Sequence, residues 1–153
     1  MRTFVVLATL FLSSLSQACW CQDPPPVAQS AEQKRQQEDI KNDIELGKKY
    51  SEEADKQLKL STNEEAIARV QRIGAELSKI ANENPLAVTW GDKRHLAFPY
   101  TFKLVEGNDV NAFSLPGGFI YIYEGLVDFA ESDDELAGVV AHEISHAAFR
   151  HVA

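Results

Sequence analysis

Cysteine is nearly absent from this chain of 153 residues, which has only Cys19 and Cys21. That scarcity excludes a small protein held together by a dense set of disulfide bonds. Two cysteines separated by a single residue are also badly placed to bond to each other, given the Cα separation that a disulfide requires. A hydrophobic core must therefore stabilise the fold, and a chain of this length can build one as a single domain.

Basic residues are also few, since 15 Lys and Arg stand against 23 Asp and Glu and give a net charge of −8 at pH 7. None of them lies between Lys103 and Arg150, a stretch that carries nine acidic residues. A surface that binds a polyanion needs clustered positive charge, so nucleic acid is not an expected partner. The negative field of this stretch favours cations over phosphates.

Long apolar runs are missing as well, apart from residues 4–12. This run follows Arg2 and precedes the small residues Ser16 and Ala18, the pattern of a secretory signal peptide with its cleavage site. It is far shorter than the ~20 residues that span a bilayer. We therefore predict a signal peptide at 1–18, no transmembrane span after its removal, and export across the inner membrane to the periplasm or envelope.

The segment after the signal peptide is predicted to be a Pro-rich linker, residues 19–30, ahead of a folded domain at 31–153. Its three consecutive prolines favour an extended polyproline II conformation. Cleavage after Ala18 would make Cys19 the first residue, so a lipid anchor at Cys19 is an open alternative to an unmodified N-terminus.

Two amphipathic helices with solvated charged faces, to which we assign no chemistry, are predicted at the start of the domain. Residues 31–60 are rich in good helix formers, and a capping box of Thr62 and Glu65 predicts the start of the second helix. Gly47 and Gly74 fall inside these helices, where glycine costs about 1 kcal/mol relative to alanine, so close packing is expected at both. The predicted apolar stripes comprise Ile40, Ile44, Gly47, Tyr50, Ala54 and Leu58, then Ile67, Val70, Ile73, Leu77 and Ile80.

Beyond Pro85 the hydrophobic period changes from that of a helix to that of a strand. Residues 100–104 alternate between apolar and polar side chains, and residues 119–123 are β-branched or aromatic. Pro116 cannot donate a hydrogen bond to a neighbouring strand, so an edge or a bulge is expected there. The pattern predicts an α+β fold in which helices flank a small sheet with an edge strand.

A helix near the C-terminus carries the sequence H-E-x-x-H, and Ser132 with Glu135 predicts its start as a capping box. His142 and His146 lie about 40° apart around the helix and one turn apart along it, so both imidazoles can bind one zinc ion. Glu143 lies about 100° from His142, near a water on the metal without being forced to bind the metal. Chance spacing of two ordinary histidines is the alternative, and the capped helix with both rings on one face argues against it.

His151 is the third histidine of this region. On a continuous helix it would lie about 180° from His142, on the core side, where it would be a buried histidine or a group that supports a metal ligand from behind. The metzincin pattern requires Gly and His at the positions of Phe149 and Val152. That class of metallopeptidase is therefore excluded.

The combination of segments resembles a known family of zinc metallopeptidases, the one that includes HtpX, BepA and the CAAX prenyl endopeptidase. The resemblance rests on NAFSLPGGFIYIYEGL (111–126), ELAGVVAHEISH (135–146) and Phe-Arg-His at 149–151. It extends more weakly to residues 44–47 and 69–74. A segment NAF-x-x-PGG followed by H-E-x-x-H is far more specific than H-E-x-x-H alone.

The resemblance implies a zincin-like endopeptidase with a gluzincin-type site and one Zn²⁺ per subunit. His142 and His146 would be zinc ligands and Glu143 the general base. In this family the third ligand is a Glu from a later helix, so we expect it beyond Ala153 and expect the C-terminal part of the domain to be missing. Nothing in the spacing favours the upstream acids Glu124 or Asp128 in its place.

The resemblance also implies that the glycine-containing strand beside the active helix pairs with the substrate backbone. An edge strand binds an extended peptide by adding it to the sheet, and residues 112–120 are the candidates. The alternative is a sheet edge whose two glycines serve only a tight bend. The candidate substrate-binding residues are Asn111, Ala112, Phe113, Ser114, Gly117 and Gly118.

The predicted function is a zinc metalloendopeptidase that cleaves extended or misfolded envelope proteins, so its partners are protein or peptide substrates. The alternative for this chain is an inactive fragment, or a chaperone-like module that binds peptides, because the third zinc ligand is not found in it. Two measurements distinguish these alternatives. A peptidase contains zinc and cleaves casein, and a chelator abolishes that cleavage.

Overall fold

The computed structural model of the chain describes residues 30–84 and 96–151. None of the helices within these ranges combines the length and the apolar composition that a membrane span requires. The predicted signal peptide, Cys19 and all of the predicted linker except Ser30 lie outside them. The described elements are, in order, α1 (Ala31–Gln57), α2 (Glu64–Glu83), β1 (Thr101–Val105), β2 (Ala112–Leu115), a 3₁₀ turn (Pro116–Gly118), β3 (Phe119–Tyr123), α3 (Glu124–Phe129) and α4 (Asp133–Ala148).

The first two helices begin at side-chain caps. The Ser30 hydroxyl accepts a hydrogen bond from the N–H of Gln33 (3.2 Å), and the Gln33 side chain accepts one from the N–H of Ser30 (2.9 Å), so α1 starts with a capping box. The predicted cap of α2 at Thr62 is wrong by one residue. Asn63 caps this helix instead, since its side-chain oxygen accepts from the N–H of Ala66 (3.2 Å).

The sheet has three strands in the order β1-β3-β2, with β1 parallel and β2 antiparallel to β3. This helix-rich arrangement around a small mixed sheet agrees with the α+β class. The predicted edge strand at 112–120 is correct only for residues 112–115. Residues 119 and 120 lie in the central strand, because β1 pairs with the far side of β3.

The helices lie on both faces of the sheet. Ile120 and Ile122 point towards α2 and α4, whereas Tyr121, the residue between them, points towards α1. All three side chains are fully buried. The core between the sheet and α2, α3 and α4 comprises Ala66, Val70, Ile73, Leu104, Ile120, Ile122, Leu126, Val127, Leu136, Val140 and Ile144.

Close packing at two helix glycines agrees with the prediction from sequence. A Cβ at Gly74 would lie 2.5 Å from the ring of Phe102 in β1. A Cβ at Gly47 would lie 1.8 Å from the carbonyl oxygen of Pro116, and one at Gly117 would lie 2.5 Å from the Cα of Ile44. Helix α1 therefore packs backbone to backbone against the 3₁₀ turn.

A polar network joins α1 to the sheet. The Tyr121 hydroxyl donates to the carboxylate of Asp55 (2.8 Å), and the ammonium of Lys103 donates to the same carboxylate (2.6 Å) and to the Ser51 hydroxyl (2.8 Å). Burial alone would raise the pKa of Asp55, but the hydrogen bonds from Lys103 and Tyr121 outweigh it and hold the pKa below its ordinary value. The side of α1 that faces the sheet therefore carries hydrogen-bonding groups in addition to apolar ones.

Candidate metal centre

Helix α4 carries the predicted site and begins where the sequence predicts. The Ser132 hydroxyl accepts a hydrogen bond from the N–H of Glu135 (3.2 Å) and caps the helix. In the first turn, Asp133 binds the Nε of Arg69 (2.7 Å) and a guanidinium nitrogen of Arg72. These hydrogen bonds lower the pKa of Asp133, and the bond from Arg69 has the largest effect. The N-terminal end of α4 is thus attached to α2.

The two histidines of the motif converge on one point. The Nε2 atoms of His142 and His146 lie 3.0 Å apart, and their ring centroids lie 4.6 Å apart with the ring planes at 80°. Two nitrogens bound to one tetrahedral zinc ion at ~2.0–2.1 Å would be about 3.3 Å apart. Because His142 is exposed and His146 is only half-buried, the pair fits a metal ion that solvent and substrate can reach.

Glu143 lies on the flank of α4 that points away from α2. Ala141, Ile144 and Ser145 border a groove shared with α2, and Ala141 is about 160° from Glu143 around the helix. Glu143 is 9% exposed, so most of its side chain is shielded from water. The Ser145 hydroxyl donates to the carbonyl oxygen of Ala141 (2.8 Å), within the helix.

A third protein ligand is not found in the part of the chain that the structure describes. No group of three or more His, Cys, Asp or Glu residues there could hold a metal ion. Glu124, one of the two upstream acids, accepts a hydrogen bond from the Ser61 hydroxyl. The residues present therefore fit two of the three protein ligands of a gluzincin-type zinc site.

The position expected for His151 on a continuous helix is wrong, because α4 ends at Ala148. Arg150 has a φ of +55°, which reverses the chain and allows the N–H of His151 to donate to the carbonyl of His146 (2.9 Å). The His151 ring lies 5.7 Å from the His146 ring, centroid to centroid, at 75°. The turn therefore puts His151 beside a candidate metal ligand and half-buried.

The candidate substrate strand β2 presents backbone groups at its outer side. The N–H of Tyr123 donates to the carbonyl of Asn111 (3.1 Å), and in an antiparallel pair every second residue forms such bonds. In this register Phe113 bonds to β3, while the N–H and C=O groups of Ala112 and Ser114 point away from it. Within the described residues no strand pairs with that outer side.

Gly117 and Gly118 lie in the 3₁₀ turn after this strand. Their φ values are +72° and +89°, and both residues are buried. A Cβ at Gly118 would lie 3.0 Å from the Cβ of Phe98. The two glycines are therefore needed for a tight bend. Of the candidate set, the structure places Ala112, Phe113 and Ser114 in the edge strand and Asn111 directly before it.

Sequence reasoning missed Asp43. It assigned no chemistry to the charged residues of α1, yet Asp43 is buried and binds Arg150 beyond the end of α4 through two contacts of 2.8 Å. The signal available in the sequence was position: Asp43 lies four residues before Gly47 and three after Ile40, on the apolar stripe. A carboxylate on such a stripe indicates a buried partner.

A protein family and several individual proteins resemble parts of this chain. The sequence model of Peptidase family M48 matches residues 68–153, more than half of the chain. The chain is 42% identical over 55 residues to the beta-barrel assembly-enhancing protease of Yersinia pestis. It is 52% identical over 44 residues to the mitochondrial metalloendopeptidase OMA1 of Arabidopsis thaliana, and 41% identical over 54 residues to the metalloprotease LoiP of Escherichia coli K12.

These matches cover small parts of the relatives. They include 36%, 29% and 35% of this chain, but only 11%, 9% and 21% of the Yersinia, Arabidopsis and Escherichia proteins, respectively. The chain thus spans about a tenth of the length of the first two relatives and about a fifth of the third. All three relatives bear the names of proteolytic enzymes.

Proposed function

The chain belongs to peptidase family M48, and we propose that it carries the metal-binding helix, the general base and the substrate-binding strand of a zinc metalloendopeptidase. The observation that carries this proposal is the 3.0 Å separation of the Nε2 atoms of His142 and His146 on an open face of α4. The flanking position of Glu143 supports it. In this assignment the folded peptidase domain occupies residues 31–153 of the chain.

His142 and His146 would hold one zinc ion through their Nε2 atoms. When bound there, the ion supplies Lewis-acid activation of a water molecule and of the substrate carbonyl. The third protein ligand is a glutamate from a part of the full-length protein beyond Ala153, as the family resemblance implies. His151, which lies against the His146 ring, limits the orientations open to that imidazole.

Glu143 is the general base of this proposal. Its carboxylate accepts a proton from the attacking water and then gives that proton to the nitrogen of the leaving amine. Because the side chain is only 9% exposed, neighbouring groups restrict its motion. A restricted carboxylate loses less conformational freedom when it meets the reacting water.

The outer side of β2 is the proposed substrate site. The backbone groups of Ala112 and Ser114 would hydrogen-bond to a peptide that joins the sheet as an added strand. Such binding requires a substrate segment without its own secondary structure. We therefore assign extended or misfolded proteins as the substrate class.

The proposed location is the periplasm or cell envelope. A signal peptide at residues 1–18 and a linker at 19–30 would deliver the domain there, with a lipid anchor at Cys19 as the alternative to a free N-terminus. Similarity to a protein named beta-barrel assembly-enhancing protease supports an envelope setting. Envelope proteins are accordingly the substrates to test first.

Replacing Glu143 with Gln tests the assignment of the base. We expect Glu143→Gln to keep the native zinc content, because it leaves both imidazoles in place, and to lower the rate of casein cleavage by about 10²–10⁴-fold. Both measurements use the longest form of the protein that is active. Zinc content is measured by atomic spectroscopy, and cleavage is measured by the release of labelled peptides. Glu131→Gln makes the same charge change at an exposed position and serves as the control.

The two readouts separate the parts of the proposal. Full activity in Glu143→Gln would disprove the role of Glu143. Loss of zinc from Glu143→Gln would show that this residue contributes to metal binding rather than to proton transfer alone.

One observation favours a second function for the chain by itself. Its described residues provide two metal ligands rather than three, while the outer side of β2 has no pairing strand among them. A module that binds extended peptides without cleaving them would need only this edge. Binding of unfolded casein that persists in a chelator, together with no cleavage, would favour this alternative.

A further inference from the structure

Helix α4 ends in a six-residue turn in which an arginine occupies a position that usually belongs to glycine. The N–H of Arg150 donates to the carbonyl of Ala147 (3.2 Å), and the N–H of His151 donates to that of His146 (2.9 Å). These two bonds define a Schellman motif, whose left-handed residue is most often glycine. Arg150 adopts this conformation with a φ of +55°. Its guanidinium makes contacts that glycine could not make.

That side chain binds α1. The Nη2 of Arg150 donates to the Oδ1 of Asp43 (2.8 Å), and its Nε lies 2.8 Å from Oδ2. The Asp43 side chain is 11% exposed and that of Arg150 is 34% exposed. A two-bond contact between guanidinium and carboxylate fixes direction as well as distance. The ion pair therefore sets the position of residue 150 relative to α1.

Residue 150 is connected in turn to a candidate metal ligand. The carbonyl of His146 accepts the hydrogen bond that closes the turn, and the ring of His151 lies against the ring of His146. A shift of Arg150 would alter both contacts. His146 would then lose the groups that restrict its backbone and its ring.

We propose that Asp43 is a positioning residue of the metal centre. Through Arg150 it holds the last turn of α4 so that the imidazole of His146 stays beside that of His142. Asp43 lies outside the segment that matches the family model, residues 68–153. The inference rests on the proposed function, since it concerns the same two histidines.

Zinc affinity is the test, measured on the full chain by competition with a chromophoric chelator at neutral pH. Changes that disturb the groups around metal-binding histidines weaken affinity by roughly 10–100-fold. Because Asp43 acts through two intervening residues, we expect Asp43→Asn to bind Zn²⁺ about tenfold more weakly than the native chain. We also expect a changed visible absorption spectrum for the Co²⁺-loaded variant, since that spectrum reports the arrangement of the ligands.

A second variant removes the same contact from the other side. Arg150→Gly keeps the backbone conformation of the turn, because glycine tolerates a positive φ, but it deletes the guanidinium. It should weaken zinc binding as much as Asp43→Asn does, and the double variant should be no weaker than either. This variant provides the test if Asp43→Asn does not fold.

Arg69→Ala is the matched control. It removes an ion pair from the opposite end of α4, the contact between the Arg69 Nε and Asp133 at 2.7 Å. It should destabilise the fold while zinc affinity and the Co²⁺ spectrum stay native. Equal losses of affinity in Arg69→Ala and Asp43→Asn would overturn the inference, because the effect would then follow stability alone.

The remaining outcomes separate this inference from the proposed function. Native affinity in both Asp43→Asn and Arg150→Gly would overturn the positioning role and leave the metal site intact. A native chain that binds Zn²⁺ no better than His142→Ala would overturn the proposed function and this inference with it.

Discussion

Gly138 is exposed in the middle of α4, one turn before His142, and a Cβ built on it would meet no described atom within 4 Å. Glycine inside a helix costs about 0.5–1 kcal/mol relative to alanine. Gly47 is different, because a Cβ there would lie 1.8 Å from the Pro116 oxygen. Packing among the described residues thus accounts for Gly47 and does not account for Gly138.

We expect Gly138→Ala to raise the free energy of unfolding by about 0.5–1 kcal/mol, measured by urea denaturation of the metal-free chain. If the space beside His142 receives substrate, the same variant should lower kcat/KM for casein while zinc affinity stays native. Gly47→Ala, which clashes with backbone, should instead lose stability. A stability loss in Gly138→Ala would show that the space is already filled.

The residues of the motif show how far a local pattern can be extended. Four-residue spacing on a helix determines the angle between two side chains, so the shared face of His142 and His146 was predictable. The position of His151 was not. It depends on a left-handed φ at Arg150, which costs about 1–2 kcal/mol. Arg150 in turn pairs with Asp43, a residue 107 positions away in the sequence.

Among the elements, α1 was predicted as a helix, but only part of its buried side was predicted. The buried residues of α1 are Asp43, Gly47 and Ser51, which are spaced four residues apart. Tyr50, which the sequence placed on the buried stripe, is 51% exposed. Hydrophobicity could not identify Asp43 and Ser51 because both are polar, whereas Gly47 was correctly placed on the predicted stripe. Their burial depends on partners in other elements, namely Arg150, Tyr121 and the 3₁₀ turn.

Strands β1 and β3 were located by alternation and composition and β2 through the family resemblance, but the order of the strands was not predicted. A period of two assigns side chains to faces and contains no information about neighbours. The parallel pairing of β1 with β3 places β2 at the edge, and this follows from the complete fold. The sequence predicted an edge strand around Pro116, and the edge strand is in fact β2, the four residues before Pro116.

Ser114→Pro tests whether the outer side of β2 binds substrate. The N–H of Ser114 points away from β3 in the observed register, so proline removes an outward donor without deleting a bond within the sheet. We expect KM for casein to rise about tenfold, because one hydrogen bond contributes roughly 1–1.5 kcal/mol, while zinc content stays native.

Ser114→Ala is the control for the loss of the hydroxyl, since it keeps the backbone N–H. It should have a nearly native KM. The substrate role of β2 would be refuted by a native KM in Ser114→Pro, provided that circular dichroism shows the sheet to be intact.

In the whole molecule, α1 contacts three elements that surround the proposed site. It packs against the 3₁₀ turn at Gly47, binds the central strand through Tyr121, and pairs with the end of α4 through Asp43. The segment that matches the family model begins only at residue 68. Helix α1 thus lies outside the matched segment and still contacts the elements that surround the proposed site.

In the proposed function, His142 and His146 bind the same zinc ion. X-ray absorption at the zinc edge of the metal-loaded chain tests this shared binding, because scattering from imidazole rings identifies bound histidines. We expect two imidazole nitrogens at about 2.0–2.1 Å, and at most one in either His142→Ala or His146→Ala. A native spectrum without imidazole scattering, or one that neither substitution alters, would show that the two histidines do not share a zinc ion.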